Sequence, residues 1–249
     1  MRISVLSRRV ILGLCGFMLC AGLLTGAYRS GFLGGAQNGP APGEFPELKT
    51  KPKPAFVPFN DCPPEGNGGD PELNRLKNRE DEAKWLPVAH HTILDLPWPR
   101  SVDKIPRSSW RAAAKALVEK YEGTPISVVG HIVQARMEGP EVCNCKKPDK
   151  DMRDIHVWVT AEPGEEDRNE SFIAEVTPRI RKKHPGWNAT NLNSLAKDEV
   201  PVRISGWLLL DQEHPEQLNH TRGTLWEIHP IMDIEVKKSN GWVRLGDKP

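Results

Sequence analysis

The chain lacks the short sequence motifs by which many enzymes are recognised. Its 249 residues contain no glycine-rich phosphate loop, no G-x-S-x-G nucleophile elbow and no H-E-x-x-H zinc helix. It also lacks a charge excess of either sign, because 34 Lys and Arg stand against 33 Asp and Glu. These absences exclude the motif-bearing nucleotide-binding enzymes, serine hydrolases and metalloproteases, and they argue against nucleic acid as a partner.

Cysteine is scarce, with five in the chain, two of them close to the N-terminus. The others are Cys62, Cys143 and Cys145. Cys143 and Cys145 do not form a C-x-x-C pair, which leaves a thioredoxin-type function without support. They are also too close in an extended strand to bridge each other easily. We expect a disulfide from Cys62 to one of them. The alternative is three free thiols, with Cys143 and Cys145 as ligands for a soft metal.

The N-terminus has the layout of a secretory signal. Arg2, Arg8 and Arg9 precede an uncharged apolar run over residues 10–26, and small residues follow it. We therefore predict a signal peptide over residues 1–27 and an exported protein, periplasmic or on the cell surface. The alternative is that the segment is not cleaved and anchors the protein in the inner membrane. Contact with a membrane is expected only through such an uncleaved segment.

The same segment bears on the export route and on the charge of the mature chain. The stretch SRRVIL, residues 7–12, resembles the twin-arginine (Tat) signature, and the general secretory (Sec) route is the alternative. The full chain has a formal net charge of +1 and the leader carries three Arg and no acid. Cleavage would therefore leave a slightly acidic mature protein.

Composition divides the remainder into three parts. Residues 28–59 are rich in Gly and Pro and predict a flexible linker. Residues 60–123 predict a partly helical extension that packs on the β-barrel predicted below. One helix is predicted over Pro71–Trp85 and a second is capped by Ser108 or Ser109. Residues 124–249 alternate apolar and polar residues and form the β domain.

The β domain predicts five strands with a helix between the third and the fourth. The strands are expected over residues 124–137, 154–161, 171–178, 200–211 and 225–238, and the helix over 188–198. This is the element order of the OB-fold, a five-stranded Greek-key barrel. A five-stranded sandwich is the alternative. Gly130 and Gly206 fit sharp bends at barrel corners, and Pro230 indicates that the last strand is an edge or bulged strand.

Six segments together resemble a group of exported bacterial proteins that have an OB-like barrel and no assigned biochemical activity. They are CPPEGNGGDPELNRLKNR, CNC, DIHVWV, EVTPRIR, VRISGWLLLDQEH and LWEIHPIMDIEV. The resemblance covers most of the chain after the leader and implies an OB-like fold and export.

The resemblance also bears on the cysteines. The group keeps one cysteine after an Asn, at the place of Asn144-Cys145, followed by His. Here Cys143 is additional and Lys146 stands at the place of that His, so a Cys-His metal pair is not expected there. The resemblance implies a disulfide between Cys62 and Cys145, with Cys143 free. A bridge closing a loop of roughly eighty residues stabilises by about 4 kcal/mol in the chain-entropy model.

Acidic residues and histidines lie at spacings of two on several predicted strands. Such pairs share a strand face, and in a barrel they could converge on one polar patch. Carboxylates and imidazoles are ligands for a divalent metal such as zinc, and they also serve in general acid–base catalysis. The alternative is a structural hydrogen-bonded network. The candidates are Asp154, His156, Glu175, Asp211, His214, Glu227 and His229.

Two loops carry further polar residues at the rim where OB-folds bind ligands. We expect Lys146 and Lys147 on the first loop, and His220 and Arg222 on the second, to line that rim. The basic run at residues 179–184 is expected to be a solvated strand end.

Two functions follow from these features. The first is an exported OB-like binding module of unknown ligand. The second is a metal-dependent hydrolase, acting for instance on phosphodiesters, that uses the Asp/His/Glu cluster on the strands.

Overall fold

The computed structural model describes residues 45–46 and 48–246. The predicted signal peptide and much of the predicted linker therefore lie outside the described residues. The helices are α1 (Pro71–Lys77), α2 (His90–Leu94), α3 (Ala112–Tyr121), α4 (Pro178–Lys183) and α5 (Ala189–Lys197). The strands are β1 (Leu86–Pro87), β2 (Pro125–Met137), β3 (Ile155–Thr160), β4 (Ser171–Val176), β5 (Pro201–Leu210), β6 (Trp226–Lys238) and β7 (Gly241–Arg244).

Strands β2 to β6 close into a five-stranded barrel. Around it the order is β2-β3-β4-β6-β5, and β5 pairs back with β2. The β4–β6 pair is parallel and the other barrel pairs are antiparallel. Helix α5 lies between the third and fourth barrel strands, as in an OB-fold. The predicted OB-like barrel is thus confirmed, with β1 added beside β2 and β7 beside β6.

The barrel bends where β5 meets β6. A Cβ at Gly206 would collide with the carbonyl oxygen of Pro230, so only glycine allows the two backbones to approach this closely. The β5–β6 register shifts on both sides of Gly206. This irregularity is the bulge that Pro230 predicted for the last strand. Of the two alternatives predicted for β6, an edge strand or a bulged strand, the structure shows the bulged one, because β4, β5 and β7 all pair with it.

The interior of the barrel is apolar. Alternate residues of β2 and β3 point inward, among them Ile126, Val128, Val157 and Val159, and all are fully buried. The other face of β3 is also buried, including His156 and Trp158. Both faces of this strand are therefore covered, and polar residues on its outer face are held away from solvent.

The extension covers one side of the barrel, and Ile93 of α2 and Val118 of α3 join the main core. Helix α1 begins as expected, since the Asp70 side chain accepts hydrogen bonds from the backbone N–H groups of Glu72 and Leu73. It ends at Lys77 rather than Trp85. The next residue, Asn78, donates side-chain hydrogen bonds to the carbonyl oxygens of Pro64 and Cys143.

Two other local predictions need correction. Helix α3 begins at Ala112, because Arg107–Ser109 form a 3₁₀ turn held by the buried Arg107. The basic run belongs to α4, capped by Thr177, rather than to a strand end, and Arg179 within it is buried. Within the described residues, no helix has both the length and the apolarity to span a membrane.

Candidate metal centre

The polar cluster forms where β3, β4 and β6 lie side by side. In the antiparallel β3–β4 pair, His156 stands directly opposite Glu175. In the parallel β4–β6 pair, Ala174 is in register with Ile228, so the next residues, Glu175 and His229, are neighbours. Asp154 directly precedes β3. Strand register therefore brings side chains from three strands together.

Glu175 lies between two histidines at the centre of this cluster. Its Oε1 lies 2.8 Å from Nε2 of His156, and its Oε2 lies 3.3 Å from Nδ1 of His229. The hydrogen bond of His229 Nδ1 goes to Oε1 of Glu227, at 3.1 Å. Nδ1 of His156 lies 3.5 Å from Glu138. Each imidazole is thus oriented by two carboxylates.

A second arm extends the cluster toward the loop between β5 and β6. Arg222 pairs with Glu227, at 3.1 Å, and also with Asp211. His214 Nδ1 lies 2.8 Å from Asp211. Arg222 and Asp211 are almost fully buried. This arm compensates the charges of two buried carboxylates and anchors the loop.

Three buried atoms of the cluster that could bind a metal have no hydrogen-bond partner within the part of the chain that the structure describes. They are Oδ1 of Asp154, Oε2 of Glu175 and Nε2 of His229, which we call the open ligand atoms. One ligand atom from each of these three residues lies within 4.8 Å of the other two. Buried polar atoms are almost always satisfied, so three on neighbouring residues require an explanation.

Glu141 and Cys143 continue the set of ligands on the far side of Asp154. Cys143 Sγ lies 3.5 Å from Oε2 of Glu141 and 3.8 Å from Oδ2 of Asp154. Asn144 donates to the same Asp154 oxygen, at 2.9 Å. The buried ammonium of Lys77 lies 3.8 Å from Glu141. Glu141, Cys143 and Asp154 also meet the spacing needed to hold an ion, as do Glu141, His156 and Glu175.

Both histidines at the centre are strongly basic in the absence of a metal. Burial by itself would lower the pKa of each, but the adjacent carboxylates outweigh it. Glu175 and Glu138 raise the pKa of His156 to about 9. Glu175 and Glu227 raise the pKa of His229 to about 10. An imidazole must be neutral to bind a metal, so a cation would compete with a proton at His229.

The acids respond in opposite directions. Burial raises the pKa of Asp154 to about 7, and repulsion from Glu141 and Glu175 adds to this effect. The pKa of Glu175 is held well below its usual range, because the two histidines more than offset its burial. The positive charges of His229 and Lys77 lower the pKa of Asp154 but do not offset these effects, and a bound cation would favour the ionised carboxylate.

The structure gathers all seven predicted site residues into one connected network. Asp154, Glu175 and His229 offer the open ligand atoms, and His156 and Glu227 orient them. Asp211 and His214 lie on the Arg222 arm. Arg222 was predicted at the rim, and this was wrong, because the loop folds inward and buries the guanidinium between Asp211 and Glu227.

The other three rim residues lie toward the surface. Lys146 and His220 are exposed, and the partly exposed Lys147 donates to the carbonyl oxygen of Asn60 at 3.0 Å. The structure places Cys62 and Cys145 at a disulfide distance, with an S–S separation of 2.02 Å, and Cys143 is free and buried.

Sequence reasoning missed four members of the cluster, which are Glu138, Glu141, Asn144 and Lys77. Glu141 and Asn144 lie in the loop between β2 and β3, where polar residues are expected to face water. Lys77 lies on α1, where a charged side chain is expected to face water. The usable signal was the position of Asp154 two residues before His156, since any polar loop next to it was a candidate partner.

Comparison with protein-family models and with curated proteins gives no match. Among solved structures, the chain is similar to an aspartyl-tRNA synthetase from Entamoeba histolytica, with 12% identity and a TM-score of 0.28. The similarity covers 83% of this chain and 30% of that one, so this chain spans less than a third of that enzyme's length. A similarity at this level says nothing about function.

Proposed function

We propose that this chain is an exported OB-like binding module whose ligand is a divalent cation such as zinc, held by Asp154, Glu175 and His229. The observation that carries the proposal is the set of three open ligand atoms on buried residues whose ligand atoms lie within 4.8 Å of one another. Two carboxylates and one imidazole are an ordinary ligand set for zinc.

The residues around these ligands support the same function. Glu227 accepts the hydrogen bond of His229 Nδ1, which leaves Nε2 as the ligand nitrogen. Carboxylate-to-histidine contacts of this kind orient metal-binding imidazoles in many proteins. Arg222 in turn fixes Glu227. The cluster therefore has a ligand set and a supporting layer around it.

The metal-dependent hydrolase ranks second. It would use the same acids and histidines, and their divergent pKa values are typical of catalytic carboxylates. Catalysis also needs substrate beside the cation. Asp154 and His229 are 0% exposed and Glu175 is 2% exposed. A cation held by such enclosed ligands would stabilise the barrel and its loops rather than contact a substrate.

Zinc titration of chelator-treated protein tests the proposal. We expect saturable calorimetric binding at pH 7.5, and an affinity at least about 100-fold lower in His229→Gln, because the imidazole ligand is lost. His220→Gln is the matched control, since His220 is exposed on a nearby loop. At zinc concentrations of about 100 Kd, unfolding should cost about 2.7 kcal/mol more. A folded wild-type protein that neither binds zinc nor gains stability would refute the proposal.

A further inference from the structure

The thiol of Cys143 lies against the candidate metal centre. It is 1% exposed and points at two carboxylates, with Sγ 3.5 Å from Glu141 and 3.8 Å from Asp154. The other two described cysteines are joined to each other, so this thiol has no disulfide role in the structure. Its position beside two acids is unusual for a cysteine that serves only as apolar filling.

We infer that Cys143, Glu141 and Asp154 form a second cation position, selective for thiophilic divalent ions such as zinc, cobalt or cadmium, which shares the Asp154 carboxylate with the first. This inference rests on the proposed function and specifies the class of ion that the centre takes. Sulfur ligands favour such ions, whereas magnesium and calcium prefer oxygen.

The distances agree with the spacing that a tetrahedral ion imposes. Zinc–sulfur bonds of about 2.3 Å and zinc–oxygen bonds of about 2.0 Å place neighbouring tetrahedral ligands about 3.5 Å apart. The two sulfur-to-oxygen distances are 3.5 and 3.8 Å. Little movement of these side chains would therefore be needed to admit an ion.

Asp154 provides the second, independent observation. Its Oδ2 faces Cys143 and Asn144, and its Oδ1 is one of the open ligand atoms. Asp154 belongs to both ligand groups, and a carboxylate can bind one ion through each of its two oxygens. Because Asp154 is fully buried and forms no ion pair within 4.0 Å among the described residues, a cation at either group would compensate its charge.

The surrounding chain holds the thiol in place. The Cys143 carbonyl oxygen accepts a hydrogen bond from the side chain of Asn78, at 2.8 Å. The disulfide from Cys62 fixes Cys145, two residues on. Lys77 balances part of the negative charge from Glu141. Burial and the two acids raise the pKa of the thiol, and a bound cation would reverse that effect by taking the thiolate as a ligand.

Cobalt absorption spectroscopy separates this inference from the proposed function. The purified chain, with its disulfide intact, is freed of metal and titrated with Co²⁺. We expect visible ligand-field bands together with a near-ultraviolet thiolate-to-cobalt band. In Cys143→Ser the near-ultraviolet band should disappear while the visible bands remain, because the first position does not use sulfur.

Each outcome decides between the two claims. Cobalt bound by the wild type without the thiolate band would overturn the inference and leave the proposed function standing. No cobalt uptake by folded protein would overturn both. If Cys143→Ser does not fold, X-ray absorption of zinc-loaded wild type replaces it. A zinc–sulfur shell at about 2.3 Å then supports the inference, and a shell of nitrogen and oxygen alone contradicts it.

Discussion

Two buried ionic regions in this molecule are built in different ways. Arg107 and Glu122 of the extension pair through two hydrogen bonds, at 2.5 and 2.7 Å, and Arg107 also donates to the carbonyl oxygen of Leu210 in the barrel, at 3.1 Å. Both oxygens of Glu122 are used, and Oε1 also accepts from the backbone N–H of Leu210 at 3.0 Å. The Asp154, Glu175 and His229 cluster is equally buried, yet each residue keeps an open ligand atom.

The difference separates two uses of buried charge. A carboxylate saturated by an arginine has no capacity left for a ligand, so the Arg107–Glu122 pair serves the fold. A carboxylate that accepts hydrogen bonds from histidine and keeps one oxygen open retains that capacity. Unpartnered carboxylate and imidazole atoms, rather than burial or charge alone, therefore distinguish the candidate centre from the structural pair, whose unpartnered atom is the donor Nε of Arg107.

Breaking the saturated pair should have the largest effect on stability. Arg107→Leu leaves Glu122 buried without its cation, and we expect the free energy of unfolding to fall by about 3–5 kcal/mol. Urea denaturation measures it. The exposed Lys115–Glu119 pair is the control, and Lys115→Ala should change stability by less than about 0.5 kcal/mol. Equal effects of the two substitutions would contradict the comparison.

The disulfide links the extension to the loop that carries Cys143 and Glu141. Its cysteines are 83 residues apart in sequence. Replacing both Cys62 and Cys145 by Ser should lower the free energy of unfolding by roughly 2–4 kcal/mol, because the unfolded chain regains its freedom. Denaturation of metal-free protein under non-reducing conditions tests this. A Cys62–Cys143 link in non-reducing peptide maps would overturn the pairing.

The two central histidines should make metal-free protein sensitive to alkali. Their folded pKa values, about 9 for His156 and about 10 for His229, lie above the ordinary value of 6.5. The stability that they contribute is complete below pH 6.5 and is lost as pH rises through 9 and 10. We expect a fall on the order of 1–3 kcal/mol between pH 7 and 10.

Denaturation at a series of pH values, with chelator present, measures this fall. His229→Gln should flatten the curve in that window, whereas His220→Gln should leave it unchanged. Stability that is constant or rises from pH 7 to 10 in the metal-free wild type would contradict the assigned proton positions.

The barrel could be predicted because its signals are local. Alternating apolar residues mark β2 to β6, and Gly206 and Pro230 mark the bend. The C-terminus of α1 and the N-terminus of α3 could not be predicted, because tertiary contacts of Asn78 and Arg107 decide them. Local periodicity therefore gave the strands, and the exceptions are residues whose side chains bond far along the sequence.

The site was predictable only in part, for a related reason. Asp154 with His156, and Glu227 with His229, share strand faces at a spacing of two residues. Which strands adjoin depends on barrel closure, which no local pattern encodes. Arg222 was predicted to be exposed because a charged loop residue ordinarily faces water. Here two buried carboxylates compensate its charge, so the side chain is buried.

Anomalous diffraction at the zinc absorption edge, on crystals of zinc-loaded protein, tests the central claim most directly. We predict a peak at about 2.0–2.2 Å from Nε2 of His229 and within bonding distance of carboxylate oxygens of Asp154 and Glu175. The peak should be absent in crystals of the His229→Gln variant grown in the same way. Zinc found only at surface residues such as His220, with water bonded to the three open ligand atoms, would refute zinc binding by Asp154, Glu175 and His229.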